Sequence, residues 1–460
     1  MIVKQLDQTI DLLNLHQLNP SRYPFLLQST AQGGDNARFD ILFALPQNQL
    51  VLSADQQLFY DQEVLSGERD FLSKFDTLVL QHQPRNKAEF IDLPFRGGWF
   101  IFLAYEVAQQ IEPVLSLPQA YSFPRAFAVR MPAAYIFDHH SQQLFLMIED
   151  AFAEHEPILL NDFEKAAQAA IVKTSLGQFE LVEADEHAYL DAVNTIKNYI
   201  HNGDVFQVNL SRLWQAKFQQ TPDAVDIYRR LRLQNPAPFA GLANWSGQSI
   251  ISSSPERLVD VKNNWASTRP IAGTSPRNLM SHEHDSQLKQ RLVQHPKERA
   301  EHVMLIDLER NDLGRVCQAG SVQVDELMSL ETYAHVHHIV SNVKGYLKPR
   351  IGPGDLLKAM FPGGTITGCP KVRCMQILAE LEQSPREAYT GSMGYVNHNG
   401  DMDVNILIRT MMLSGNELRF RAGGGIVMDS DPQRELLETR AKARGMIAAL
   451  TLDSLADIDV

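Results

Sequence analysis

The chain reads as a mixed α/β (α+β) protein, on three observations from its 460 residues. Short apolar runs alternate with polar turns through residues 1–150, helix-forming and strand-like stretches alternate after residue 185, and the last ordered pattern is helical. In the first part, FLLQS, FDILFAL, WFIFLAYE and QLFLMIED have the length and bounding turns of strands. Gly97-Gly98, just before Trp99–Tyr105, marks a tight turn or a close backbone approach. Residues 151–185 carry a helical pattern and the turn Leu176-Gly177-Gln178, which makes them the candidate boundary between a 1–150 region and a 186–450 region. Beyond it the expected order is a helix over 186–201, a turn at Asn202-Gly203, a strand at Val205–Trp214, then helices and strands up to a helix near 432–450. The acidic tail TLDSLADIDV is expected to fray.

Composition narrows the function classes. Hydrophobic residues at 44% and charged residues at 21% are the balance of a soluble globular protein. A net charge of −13 argues against nucleic acid and anionic membrane as partners, so an anionic substrate would need a local cluster of cations, N–H groups or metal. Cys317, Cys369 and Cys374 form neither a disulfide framework nor a zinc spacing, which fits a reducing compartment. The opening MIVKQLDQTIDLLNL lacks the basic start and apolar run of a signal peptide, and no apolar run is long enough to span a membrane. The expected location is the cytoplasm.

Two Glu-x-x-Glu pairs carry the chemistry. Glu298/Glu301 lie in PKERAEHVMLIDLERNDLGR and Glu435/Glu438 in DSDPQRELLETRAKARGMI, both of helical character. Three-residue spacing puts each pair on one helix face, and two such pairs brought together make an oxygen-rich site for Mg²⁺. Alone, such a pair is usually a solvated face. The neighbouring segments alter that balance. Phe361–Lys371, rich in glycine and hydroxyls and leading into a helix at Val372–Leu381, can present N–H groups to an anion, although its order is not that of a nucleotide-binding P-loop. Ala422-Gly-Gly-Gly-Ile426 can offer bare backbone to a carboxylate. Arg409, in the strand-like NILIRTMML, and Lys442, one helical turn after Glu438, are candidate carboxylate partners. For either one taken alone, the default reading is a surface ion pair. His338 is a candidate orienting or acid/base group, and Glu256, after an apolar run, a candidate general acid.

The segments VFQVNLSR, SSSPERL, TRPIAGTSPR, KERAEHVMLIDLERNDLGRV, HVHHIVSNVKG, FPGGTITGCPKVRCMQIL, GSMGYV, GDMDVNILIRT, AGGGIVMDSDP and ELLETRAKAR occur in this order between residues 186 and 450. Together they resemble the chorismate-utilising enzymes, which include anthranilate, aminodeoxychorismate, isochorismate and salicylate synthases. RYPFLLQST and FRGGWFIFLAYE are similar to the N-terminal part of the first two. The resemblance implies one intertwined unit with large antiparallel sheets packed face to face, flanked by helices, and the site at one edge of the sandwich. It implies Glu301 and Glu438 as Mg²⁺ ligands with Glu298 and Glu435 in support. Lys442, Gly423 and Gly424 would surround the ring carboxylate of chorismate, Arg409 and Tyr395 the enolpyruvyl carboxylate, and Thr365 and Gly368 the ring. Glu256 would protonate the departing C4 hydroxyl, with His338 near the ring.

The resemblance also separates branches of the family. Water-using members carry a lysine base where Gln207 stands, so ammonia is the expected nucleophile. No glutaminase motif is present, so ammonia is expected from a separate amidotransferase partner subunit or from solution. Asn235–Phe239, Gly363–Gly368 and Ala422–Gly425 resemble the C4-aminating, aminodeoxychorismate-forming branch, as does Arg38–Ile41. Pro270–Thr274 resembles the anthranilate-forming branch, because Ala272 stands where many C4-aminating members have a nucleophilic lysine. The first branch is the expectation and the second the alternative. A non-catalytic chorismate- or tryptophan-binding regulator comes third, against the intact set of Glu301, Glu438 and Lys442. Separately, LLQS resembles the family's tryptophan-pocket segment, which makes tryptophan a candidate ligand.

Overall fold

The computed structural model describes residues 1–31, 37–82, 92–121, 123–169, 175–277, 281–332 and 336–452. Within these, the strands assemble into two antiparallel sheets of twelve strands each. The four apolar runs of the first 150 residues are strands, at Phe25–Gln28, Phe39–Ala44, Gly98–Leu103 and Gln143–Ile148. In Gly98–Leu103, Trp99, Ile101 and Leu103 face one core, while Phe100 and Phe102 face another. A strand buried on both sides has no use for polar alternation, which is why WFIFL is continuously apolar. Gly98 opens this strand because a Cβ there would meet the Val396 carbonyl oxygen at 2.1 Å.

Phe25 stacks on Phe100 with ring centroids 4.0 Å apart, and Trp245 on Phe127 at 4.1 Å. In each pair one ring comes from each sheet, so the sheets pack face to face through an aromatic layer. Each such stack adds about 0.5–1.5 kcal/mol beyond the area it buries. The outer face of the first sheet is covered by the helices Leu12–Leu18, Glu156–Gln168, Ala224–Gln234 and Pro432–Thr451. Phe71–Gln81, Pro296–Val316 and Pro353–Met360 cover the second. Strands from the first 150 residues continue both sheets: Phe25–Gln28 pairs with Phe239–Trp245, and Gly98–Leu103 with Ser392–Asn397. Among the described residues no helix is long and apolar enough to cross a membrane.

Three elements match their expected bounds closely: the helices Glu186–His201, Lys371–Glu382 and Pro432–Thr451. The strand expected at Val205–Trp214 runs over Gln207–Phe218, because its ladder with Glu417–Ile426 holds as far as Lys217. The reading of Arg409 as a strand residue needs correction. The strand Met402–Asn405 belongs to one sheet and Thr410–Ser414 to the other. Arg409 lies in the crossing between them at φ +51°, a left-handed conformation. Ile406 and Leu407 are buried within the crossing, which is why its residues read like those of a strand. The tail beyond residue 452 lies outside the described residues.

Candidate active site

A second crossing runs beside the first. Gln248–Ser254 is a strand of one sheet and Arg257–Lys262 of the other, and Glu256 sits between them. The Ile406 N–H donates to the Glu256 carbonyl at 3.0 Å and the Ser253 N–H to the Arg409 carbonyl at 3.1 Å, so the two crossings are laced together. This lacing brings a carboxyl and a guanidinium from distant parts of the chain into one electrostatic neighbourhood. Glu256 is 6% exposed. Burial pushes its carboxyl up to about 7, against the opposing pull of the Thr365 hydroxyl, the Ile271 N–H, Lys442 and Arg409. Burial lowers Arg409 from its ordinary value while Glu256 pulls it back. Its Nη1 donates to Asn235 Oδ1 at 3.3 Å.

Thr365 belongs to a short turn, Gly364–Ile366, in the hydroxyl-rich loop. The Asn209 amide holds the Thr365 carbonyl at 2.6 Å. Gly368 and Cys369 pair with Val208 and Gln207, and a Cβ on Gly368 would strike the Gln207 carbonyl oxygen at 2.1 Å. The Gln207 amide nitrogen donates to Glu301 Oε1 at 3.0 Å. Among the described residues, Gln207 Oε1, Glu256 Oε1 and Thr365 Oγ1 are buried without a well-formed hydrogen bond, although the Thr365 hydroxyl lies close enough to the Glu256 carboxyl to lower its pKa. Leaving such an atom unpaired costs about 1–3 kcal/mol, so three in one loop-lined region mark a place built to receive polar groups of a ligand.

His338 is buried opposite Thr274 in the ladder between Ile271–Pro276 and Val336–Tyr346. Burial first, then the Arg409 charge, pushes its imidazole down to about 4, so it is neutral at physiological pH. Ala272 pairs with Ile339 just before an irregularity of register at Gly273, and its side chain lies outside the described residues.

The glycine triplet fits a Mg²⁺ ion held with substrate. A Cβ on Gly424 would lie 3.3 Å from Glu438 Oε1, 3.5 Å from Glu435 Oε2 and 3.6 Å from Lys442 Nζ, so this bare backbone forms the wall of an acidic cradle. Glu301 reaches the same strand through Gln207, whose amide nitrogen would be 2.0 Å from a Cβ on Gly425. Gly423 is closed off by the Leu210 carbonyl oxygen at 2.4 Å. Glu298 faces Gly273 instead, with Oε2 3.0 Å from a Cβ there. No group of three or more His, Cys, Asp or Glu closes a shell among the described residues. A Mg²⁺ ion there would have to take one or two carboxylates from the chain and the rest of its shell from water and substrate. Lys442 pairs with Glu438 at 2.8 Å and donates to the Gly423 carbonyl at 2.9 Å.

The structure does not bring Tyr395 into this group. Tyr395 sits in Ser392–Asn397 and lines a separate cavity of about 270 Å³ with Arg257, Asp403, Phe239, Gln28 and Ser29. Burial, and then Asp403, hold its phenol far above its ordinary value. Gln28 and Ser29 are the LLQS residues, so that segment faces this cavity. Sequence reasoning passed over Asn209 and Tyr189. Asn209 is two residues beyond Gln207, and the period of a strand puts it on the same face. Tyr189 is buried with its hydroxyl unpaired, and its phenol is shifted up by burial and then by Glu435.

Residues 22–448 match the chorismate binding enzyme family. The chain belongs to that family. Its relatives include a Synechocystis anthranilate synthase component I-like protein, 44% identical over 78% of this chain and 73% of that protein. They also include aminodeoxychorismate synthase component 1 of Bacillus subtilis, 38% identical over 96% of this chain and 94% of that protein. Among solved structures, anthranilate synthase component I of Streptococcus pneumoniae superposes with a TM-score of 0.79 at 33% identity, covering 90% of this chain and 93% of the other. Chorismate is thus the substrate class of the family, and both amination outcomes occur among its relatives.

Proposed function

We propose that the chain is the chorismate-aminating component of an aminodeoxychorismate synthase, taking chorismate and ammonia to 4-amino-4-deoxychorismate and water. The C4-aminating branch rests on the segments Asn235–Phe239, Gly363–Gly368 and Ala422–Gly425. The loss of the C4 hydroxyl, which either outcome needs, rests on the Glu256 carboxyl, buried beside Thr365 and Arg409 with its acidity suppressed to about 7. Hydroxide is a poor leaving group. A carboxyl that keeps its proton near neutral pH can pass it to the C4 oxygen as the C–O bond breaks, so that water departs. Ammonia supplies the electron pair for the new C–N bond, and the proton it then sheds restores Glu256. Arg409 would hold a substrate carboxylate at the crossing. Gln207 has no basic nitrogen with which to activate water, and its amide is committed to Glu301. Mg²⁺ bound through Glu301 and Glu438 would supply Lewis-acid polarisation and a grip on the ring carboxylate.

Ammonia would come from a glutamine amidotransferase partner. Burial holds all three thiols above their ordinary range, Cys317 at about 11 and Cys374 at about 12, so the chain lacks a ready thiolate for hydrolysing glutamine. The second reading is anthranilate synthase, favoured by Ala272 in Pro270–Thr274 and by the Streptococcus structure. Mass spectrometry of the products from chorismate, Mg²⁺ and ammonium decides between them. 4-Amino-4-deoxychorismate that a lyase converts to para-aminobenzoate supports the proposal. Anthranilate and pyruvate appearing without a lyase would overturn it.

A further inference from the structure

Behind the candidate acid lies a carboxyl that the scheme above leaves unused. Glu309 is 3% exposed, on the Pro296–Val316 helix that also carries Glu301. Its Oε1 is 3.2 Å from the position a Cβ on Gly364 would take, and Leu308 from the same helix would be 2.4 Å from it. Only a glycine lets the helix approach so close to the turn that carries Thr365. Asp312, three residues on and so on the same helix face, pairs with Lys371 at 2.5 Å. Lys371 begins the helix into which the loop runs. One helix face thus grips the loop twice, at Gly364 and at Lys371, and Thr365 lies in the span between. Glu309 Oε2 is buried without a hydrogen-bond partner among the described residues.

We propose that Glu309 is a positioning residue for amination, holding the Gly364–Ile366 turn so that the Thr365 hydroxyl stays beside the Glu256 carboxyl. The proposal rests on the reading of Glu256 as the acid. Burial and then Asp312 push Glu309 up to about 8, with Glu256 also raising it and Lys371 and the Gly364 N–H opposing. The brace is therefore a neutral carboxyl at neutral pH. Once ionised, it puts a negative charge into the same buried floor as Glu256 and Asp312, where Lys371 and the Gly364 N–H oppose it. Two protons, one on each glutamate, then define the active form.

The test compares Glu309→Gln and Glu309→Leu with the unaltered chain, using ammonium as nitrogen donor and a saturating concentration of free ammonia at each pH. On the alkaline side the unaltered chain should lose kcat/KM for chorismate with the square of the proton activity. Glu309→Gln keeps the shape but not the ionisation, so its loss should follow the first power, and its infrared spectrum at neutral pH should lack one protonated-carboxyl band. Glu309→Leu should lower kcat by about tenfold or more while KM for chorismate moves less than about threefold. An unchanged alkaline slope in Glu309→Gln, or full kcat in a folded Glu309→Leu, overturns the proposal. Glu256→Gln run alongside separates the two readings. If it keeps turnover, the assignment of the acid fails. If it loses turnover while the Glu309 variants behave as the unaltered chain does, only the brace fails.

Discussion

Replacing Glu256 with glutamine should make the protein inactive and, above neutral pH, more stable. The ordinary value for this carboxyl is 4.5, and burial in the fold moves it up to about 7. The folded state therefore prefers the protonated form, and the fold is penalised as pH rises past 4.5, with the penalty levelling off above the folded value. At about 1.36 kcal/mol per unit, the penalty is ~0.8 kcal/mol at pH ~5 and ~3.3 kcal/mol at pH ~8. Glutamine has nothing to ionise, and whatever its amide costs in the pocket is the same at both pH values. The stability difference between Glu256→Gln and the unaltered chain should thus move in favour of the variant by ~2.5 kcal/mol between those pH values. Urea unfolding midpoints at the two pH values measure it. Chorismate binding should stay within a few-fold while turnover falls by at least about 10²-fold. A difference that stays flat within ~0.5 kcal/mol would refute the claim that the fold holds this carboxyl neutral.

Glu301→Gln and Glu438→Gln should each weaken Mg²⁺ binding by about tenfold or more in calorimetry and lower kcat/KM by orders of magnitude; full activity of either after EDTA treatment would remove the metal assignment. Gln207→Lys places an amine beside Glu301, and chromatography should then detect isochorismate; its absence from a folded, chorismate-binding variant would count against the reading of that position. The chain alone should use ammonium salts and not glutamine, and glutamate release without an amidotransferase would contradict the protonated state of its thiols. Tryptophan should bind at the cavity beside Ser29, and calorimetry should show Ser29→Ala weakening it without altering Mg²⁺ binding; no heat of tryptophan binding to the unaltered chain would refute this.

Much of this architecture is readable in the residues, and the failures have physical causes. Long helices such as Glu186–His201 and Pro432–Thr451 announce themselves because one face repeats over four or five turns. Doubly buried strands announce themselves by unbroken apolarity. Their partners do not, because Ile2–Leu6 pairs with Gln143–Ile148 across the whole first region, and nothing local encodes that choice. The two glutamate pairs were legible as helix faces, but the bare face of Gly424 opposite Glu435 and Glu438 emerges only from tertiary packing. Tyr395, placed by resemblance alone, lies at the separate cavity, and Arg409 was misread as a strand residue. Apolar neighbours report burial, not conformation or direction, and a crossing between sheets is as buried as a strand. Glu309 escaped notice because its segment looks like an ordinary charged helix until the turn at Gly364 is laid against it.

The glycine triplet sets how this pocket can be altered by mutation. A methyl on Gly423 would run into the backbone of the neighbouring strand, which cannot yield without opening the sheet. One on Gly425 would meet only the movable end of Gln207, so those two positions should change together or not at all. Of the three, Gly424 has the most room, and a methyl there would first meet the side-chain ends of Glu438, Glu435 and Lys442 at 3.3–3.6 Å. Drift along this strand is therefore confined to a single volume control at the acidic wall, and Gly424→Ala would narrow the space beside the Glu438 carboxylate while the sheet behind it kept its register.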